Sequence, residues 1–184
     1  VFTGGAGNDT MTGGAGNAAF IANDGEADTL DGGTGDDNAI ADVSLDTFSS
    51  IESGNLPAPE ITVLSGQTSL TDNFATVDFG AVTQGQTGPT RTFTVPNAGT
   101  DVLSVGDVTA PAGFLLIDPL VGPIAPGASE SFTLQVDTSV PGALSGQVSF
   151  ANSDADENPF NFTITATVNA APPQIPDIAV ALSG

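Results

Sequence analysis

The sequence predicts an all-β chain in two parts, a short coil of parallel strands followed by an antiparallel sandwich. Three observations carry this reading. Residues 4–40 repeat a glycine-rich motif with a period of nine. From Glu60 to Val168 the texture changes to short runs of alternating apolar and polar residues, bounded by clusters of Gly, Pro and Asn. No stretch reads convincingly as a helix.

The first copies are Gly4-Gly5-Ala6-Gly7-Asn8-Asp9-Thr10-Met11-Thr12, Gly13-Gly14-Ala15-Gly16-Asn17-Ala18-Ala19-Phe20-Ile21 and Gly32-Gly33-Thr34-Gly35-Asp36-Asp37-Asn38-Ala39-Ile40. Between the last two lies a degenerate copy, Asn23 to Asp31, recovered by treating Ala22 as an insertion. It keeps Asp28 at the sixth place and Leu30 at the eighth. Ala41 to Ser49 keeps Asp46 and Phe48 at those places but has no glycine, and reads as a worn closing repeat. Glycines admit the positive φ angles of a tight turn, which directs carbonyl oxygens to one side, and the Asp adds a charged oxygen. The eighth-place residues Phe2, Met11, Phe20, Leu30 and, thinly, Ala39 should face inward. So narrow a core does not offset chain entropy by itself.

The pattern Gly-Gly-x-Gly-x-Asp-x-apolar-x resembles the calcium-binding nonapeptide of RTX (hemolysin-type) proteins. The resemblance implies a calcium-stabilised parallel β-roll over residues 1–49, with two nonapeptides per turn and calcium between loops two repeats apart. It implies a best site made by the carbonyls of Gly5, Gly7, Asn23 and Gly25 with the carboxylates of Asp9 and Asp28, a set within the six to eight oxygens calcium takes. A second, weaker site would use Gly14, Gly16, Gly32, Thr34 and Asp37, because Ala18 stands where the pattern asks for Asp; water or Asn17 could complete it. A third would draw on the loop of Asp24, Glu26 and Asp28 together with Asp46. Such a roll should fold only with its metal. The alternative, a flexible glycine-rich linker, does not account for spacing and apolar places recurring together.

Ser50 to Ala58 holds Ile51, Leu56 and Pro57 and reads as a cap and stiff connector. Within 59–171, strands are expected near Glu60–Leu64, Ala75–Phe79, Thr90–Val95, Asp101–Val105, Gly113–Ile117, Glu130–Val136, Gly146–Phe150 and Phe160–Val168. Val77-Asp78-Phe79-Gly80, Thr92-Phe93-Thr94-Val95-Pro96-Asn97-Ala98-Gly99, Ile124-Ala125-Pro126-Gly127 and Ser149-Phe150-Ala151-Asn152 through Phe160 together resemble bacterial choice-of-anchor D modules and the wider ASH-type group. That resemblance implies an immunoglobulin-like β-sandwich, found in tandem arrays on surface or secreted proteins and without a known catalytic centre. Pro176 to Gly184 echoes Pro59 to Gly66, so 172–184 reads as a linker and the first strand of a further repeat domain.

The chain of 184 residues has 22 acidic residues, one basic residue, Arg91, no Cys and a net charge of −21. This balance disfavours nucleic acid and anionic membrane surfaces, and it points to cations as partners. With no His, Lys or Cys, and no phosphate-cradling motif, the usual bases and nucleophiles are missing, and the chain is not expected to be an enzyme. Asp154-Ala155-Asp156-Glu157-Asn158 starts like a calcium loop but has Pro159 where the essential Gly belongs, so a polar turn is the simpler reading. Extracellular calcium modules bind at ~0.1–1 mM, which suits a secreted or cell-surface protein. The expected role is that of a rigidified stalk or spacer in a long repetitive bacterial adhesin or matrix protein, exported, as the RTX resemblance implies, by type 1 secretion. The partners would be calcium and neighbouring domains or subunits of the same protein. The rivals are a self-assembling filament subunit that adds its C-terminal tail as a strand, and the non-catalytic module of a secreted hydrolase.

Overall fold

The computed structural model describes residues 1–54 and 56–173, and among these every regular element is a β-strand. The chain divides into two compact units, one of residues 1–62, 96–104 and 123–129, the other of residues 63–95, 105–122 and 130 onward.

In the first unit seven short strands follow one another: β1 (Phe2–Thr3), β2 (Thr10–Thr12), β3 (Ala19–Ala22), β4 (Thr29–Asp31), β5 (Asn38–Ala41), β6 (Thr47–Ser49) and β7 (Ser53–Gly54). The odd strands form one parallel sheet in the order β1-β3-β5-β7 and the even strands another, β2-β4-β6. The chain thus passes from one sheet to the other at every glycine-rich turn. Registers match the repeat: Phe2 pairs with Phe20 and Phe20 with Ala39, while Met11 pairs with Leu30 and Leu30 with Phe48. Met11, Phe20, Leu30 and Ala39 are buried as expected, joined by Ala22 and Ala41, with Ala18, Phe48 and Ile51 packed alongside. Phe2 remains 38% exposed, stacked on Phe20 at a ring distance of 5.2 Å. The parallel sheet does not stop at Ser49, because β7 extends it through residues the sequence assigns to a connector.

Beyond the strands, the first unit contains a buried polar hub. Asn97 is 1% exposed, and its Oδ1 accepts hydrogen bonds from the amides of Glu60 (3.2 Å) and Gly99 (3.0 Å). Its Nδ2 donates to the carbonyls of Asp101 (2.7 Å) and Ile124 (3.0 Å). The stretch expected as a strand at Asp101–Val105 is held by this hub and by a bridge between Leu103 and Ile124, and forms no continuous ladder. Replacing Asn97 with Leu orphans these buried amides and carbonyls, so the variant is expected to lose about 3 kcal/mol or more in a urea titration. Asn97→Asp, which sets a buried carboxylate oxygen against the Asp101 and Ile124 carbonyls, should lose at least as much.

The second unit is a two-sheet sandwich. Five strands, β8 (Val63–Ser65), β9 (Thr68–Leu70), β11 (Thr90–Pro96), β12 (Phe114–Asp118) and β13 (Ser129–Val136), form a sheet in the order β12-β13-β11-β8-β9. Three, β10 (Thr76–Thr83), β14 (Gly142–Phe150) and β15 (Phe160–Asn169), form the facing sheet in the order β10-β15-β14. The alternation read from the sequence falls inward, with Phe93, Val95, Phe132, Leu134, Val148, Phe162 and Ile164 all under 2% exposed. Two features depart from the sequence reading. β9 lies in a short polar stretch behind the Gly66 turn, and β10 runs parallel to β15. The parallel edge arises because β10 joins this sheet from the other one, through a turn in which Phe74 and Ala75 donate to the Thr71 carbonyl.

Candidate metal centre

The loops at the edges of the coil are tied together by carboxylates. Asp28 Oδ1 accepts from the Asp9 amide at 2.7 Å, and Asp46 Oδ1 accepts from the Asp28 amide at 2.8 Å. On the other edge Asp37 Oδ1 accepts from the Ala18 amide at 2.5 Å, and Glu52 Oε2 accepts from the Asp37 amide at 2.8 Å. The first four sixth-place amides, of Asp9, Ala18, Asp28 and Asp37, are therefore each capped by a carboxylate one full turn of the coil further on, while that of Asp46 donates to the Asp42 carbonyl. Glu26 accepts from the Gly7 amide, and Asp42 Oδ2 from the Gly25 amide at 2.7 Å.

At the best site named from the sequence, the second oxygens are the informative ones. Asp9 Oδ2 and Asp28 Oδ2 are buried and have no hydrogen-bond partner. Both converge on Gly4, where an added Cβ would lie 3.1 Å from the first and 3.2 Å from the second. Gly5, Gly7 and Gly25 take positive φ angles, as the turn demands. Asp28 is 2% exposed and Asp37 fully buried, yet the chain has a single basic side chain. That side chain, Arg91, donates to the Asp78 backbone carbonyl at 2.9 Å and lies 5.9 Å from the Phe79 ring centre, within the sandwich. Buried carboxylates persist when they are paired or bind a metal. An all-oxygen donor set with two facing carboxylates suits a hard divalent cation.

The loops of the second site are joined differently. The Thr34 amide donates to the Gly14 carbonyl at 2.8 Å and the Gly16 amide to the Thr34 carbonyl at 2.7 Å. The approach is so close that a Cβ on Gly33, whose φ is 90°, would collide with the Gly14 carbonyl oxygen. The Gly14 and Thr34 carbonyls named for calcium thus already accept amides, and Asn17 Oδ1 accepts from the Asp36 amide at 3.2 Å. At the third site both Asp46 oxygens are engaged, by the amides of Asp28 and Asp42, each at 2.8 Å. Asp24 Oδ1 accepts from the Glu26 amide at 3.0 Å. Asp42 and Glu52 are the ladder members the sequence reading missed. Glu52 falls only six positions after Asp46 and outside the count of nine.

In the second unit, Asp154, Asp156 and Glu157 bring carboxylate oxygens within 4.8 Å of one another. Their loop is organised as a polar turn by Asn152, whose Oδ1 accepts from the Asp154 amide at 2.8 Å and whose Nδ2 donates to the Glu157 carbonyl at 2.9 Å.

These features define an all-β protein that joins a carboxylate-laddered parallel coil to a phenylalanine-rich sandwich. Residues 71–168, more than half of the chain, match the family described as "Protein of unknown function (DUF1573)", and the chain belongs to that family. No curated protein matches it. Among solved structures, a protein of unknown function from Porphyromonas gingivalis is similar at 16% identity and a TM-score of 0.47, over 67% of this chain and 52% of that one. The chain therefore spans about half the length of that protein. The ASH / PapD-like domain of human CEP192 is similar at 10% identity and a TM-score of 0.47, over 63% of this chain and 89% of that one. A protease of Vibrio cholerae, VesB, matches at 19% identity and a TM-score of 0.40, over 52% of this chain and 30% of that one.

Proposed function

We propose that residues 1–54 are a calcium-stabilised β-roll of the RTX type, and that with the immunoglobulin-like, ASH-type sandwich they form a non-catalytic structural segment of a secreted or cell-surface protein. The observation that carries this is the pair of buried oxygens, Asp9 Oδ2 and Asp28 Oδ2, facing one another over Gly4 without a hydrogen-bond donor. Ten carboxylates and no basic side chain lie in residues 1–54, so the neutralising charge must come from solution. Asp9 and Asp28 would hold the ion, with carbonyls of the Gly5–Gly7 and Asn23–Gly25 turns beside them. Calcium supplies no chemistry here beyond bridging loops, and its binding free energy is folding free energy. A coil that stiffens where calcium is plentiful would serve as a rigid spacer in an adhesin or matrix protein. Residues 174–184, on which the filament rival depends, lie outside the described residues.

The test is a calcium titration of the whole chain followed by circular dichroism and calorimetry. Saturable uptake at ~0.1–1 mM, with strand signal gained on binding and lost in chelator, is the expected result. A spectrum indifferent to chelator, with no heat of binding, would remove the proposal.

A further inference from the structure

The second edge of the coil has its complete carboxylate pair one turn later than the repeat pattern places it. We infer that Asp37 and Glu52 hold a second divalent cation, with the Ser50 carbonyl beside them; this rests on the calcium reading above. Asp37 is fully buried and its Oδ2 has no hydrogen-bond partner. That oxygen lies 2.5 Å from where a Cβ on Gly32 would stand, and the Ser50 carbonyl oxygen crowds the same point. The arrangement repeats the first site in its lower carboxylate and its cap, with the Ser50 carbonyl at Gly32 where Asp28 Oδ2 stands at Gly4. There the lower Asp9 turns Oδ2 over its own Gly4 while the upper Asp28 caps the Asp9 amide. Here the lower Asp37 turns Oδ2 over its own Gly32 while the upper Glu52 caps the Asp37 amide.

Register supports the equivalence. The Gly13 amide donates to Asp31 and its Cα faces the Gly32 carbonyl; the Gly32 amide donates to Ser49 and its Cα faces the Ser50 carbonyl. Ser50 has a φ of 51°, so the left-handed turn comes one place earlier here than in loops 13–18 and 32–37, where Gly14 and Gly33 take it. Residues 50–52 therefore act as a sixth loop, shortened and written without glycine. Glu52 is exposed, which leaves its longer side chain free to turn its second oxygen toward Asp37. Meanwhile the turn below is closed to an ion, because loops 13–18 and 32–37 are bonded backbone to backbone and Ala18 brings no carboxylate.

Two measurements on the full chain test this, both using calcium alone. In the wild type, carbon NMR should show the Asp37 and Glu52 carboxyl resonances shifting together on calcium titration. A shift at Asp37 with none at Glu52 would overturn the inference. By calorimetry, Glu52→Gln, which keeps an acceptor for the Asp37 amide, should bind one equivalent fewer of calcium than the wild type while Asp9 and Asp28 still respond. Unchanged stoichiometry would also overturn it. If instead the calcium reading itself is wrong, no carboxyl resonance shifts, those of Asp9 and Asp28 included. The NMR readout stands even if Glu52→Gln does not fold.

Discussion

Asp28→Asn is expected to invert the response of the coil to calcium, becoming no less stable than the wild type in chelator and clearly less stable in calcium. Asparagine matches aspartate in shape and keeps an oxygen to accept from the Asp9 amide, so the 2.7 Å bond between loops survives. What it removes is one of two negative charges whose free oxygens both crowd Gly4. Without metal those charges repel in a buried site and gain nothing, so neutralising one should be neutral or stabilising. With calcium bound as proposed, the same charge would be a ligand. Its loss should weaken binding about tenfold or more, ~1.4 kcal/mol per factor of ten. Asp28→Ala should be worse than wild type in both conditions, since it also uncaps Asp9. Thermal melts in chelator and in ~10 mM calcium, well above the extracellular range, give all four comparisons. Equal destabilisation of Asp28→Asn in both conditions would mean that the carboxylate acts only as a hydrogen-bond acceptor.

The part of this site that was legible in the sequence is the part written with period nine. Gly4 to Asp9 and Asn23 to Asp28 lie in frame once Ala22 is set aside, and the structure brings Asp9 and Asp28 together. What the period does not carry is how a loop closes when its glycines are gone. In the worn repeat Asp42 closes the loop, because its carbonyl accepts from the Leu45 and Asp46 amides and its carboxylate from Gly25. At Ser50 a non-glycine residue adopts the left-handed turn. The worn repeat keeps the count of nine, but the Ser50 loop is shortened, which moves Glu52 out of frame and makes a carboxylate of the ladder look like part of a connector. In the sandwich, alternation predicted most strands because one face of each is buried. It misplaced Asp101–Val105 because a buried Leu103 can be held by a single bridge and by the Asn97 hub without a ladder. The parallel β10 could not be read at all, since strand direction follows from a crossover that no local pattern records.

The second unit should depend on its phenylalanines as the first is proposed to depend on its carboxylates. Phe132 is fully buried, stacks on Phe93 with ring centres 5.1 Å apart and meets Phe150 edge-on at 5.9 Å. Phe93 in turn contacts Phe162 at 4.9 Å, so Phe132 lies within a chain of rings that links the two sheets. Truncating it to Ala leaves a cavity at that junction and is expected to cost about 3–5 kcal/mol, against a total of ~5–15 kcal/mol for an ordinary domain. Phe132→Leu, which keeps most of the volume, should cost under about 1.5 kcal/mol. Urea titration measures both, and the loss for each variant should be the same in calcium and in chelator, because apolar burial requires no metal. A cost below about 1 kcal/mol for Phe132→Ala would show that the ring chain is not close-packed, and the stability of the sandwich would then have to come from its hydrogen-bond ladders.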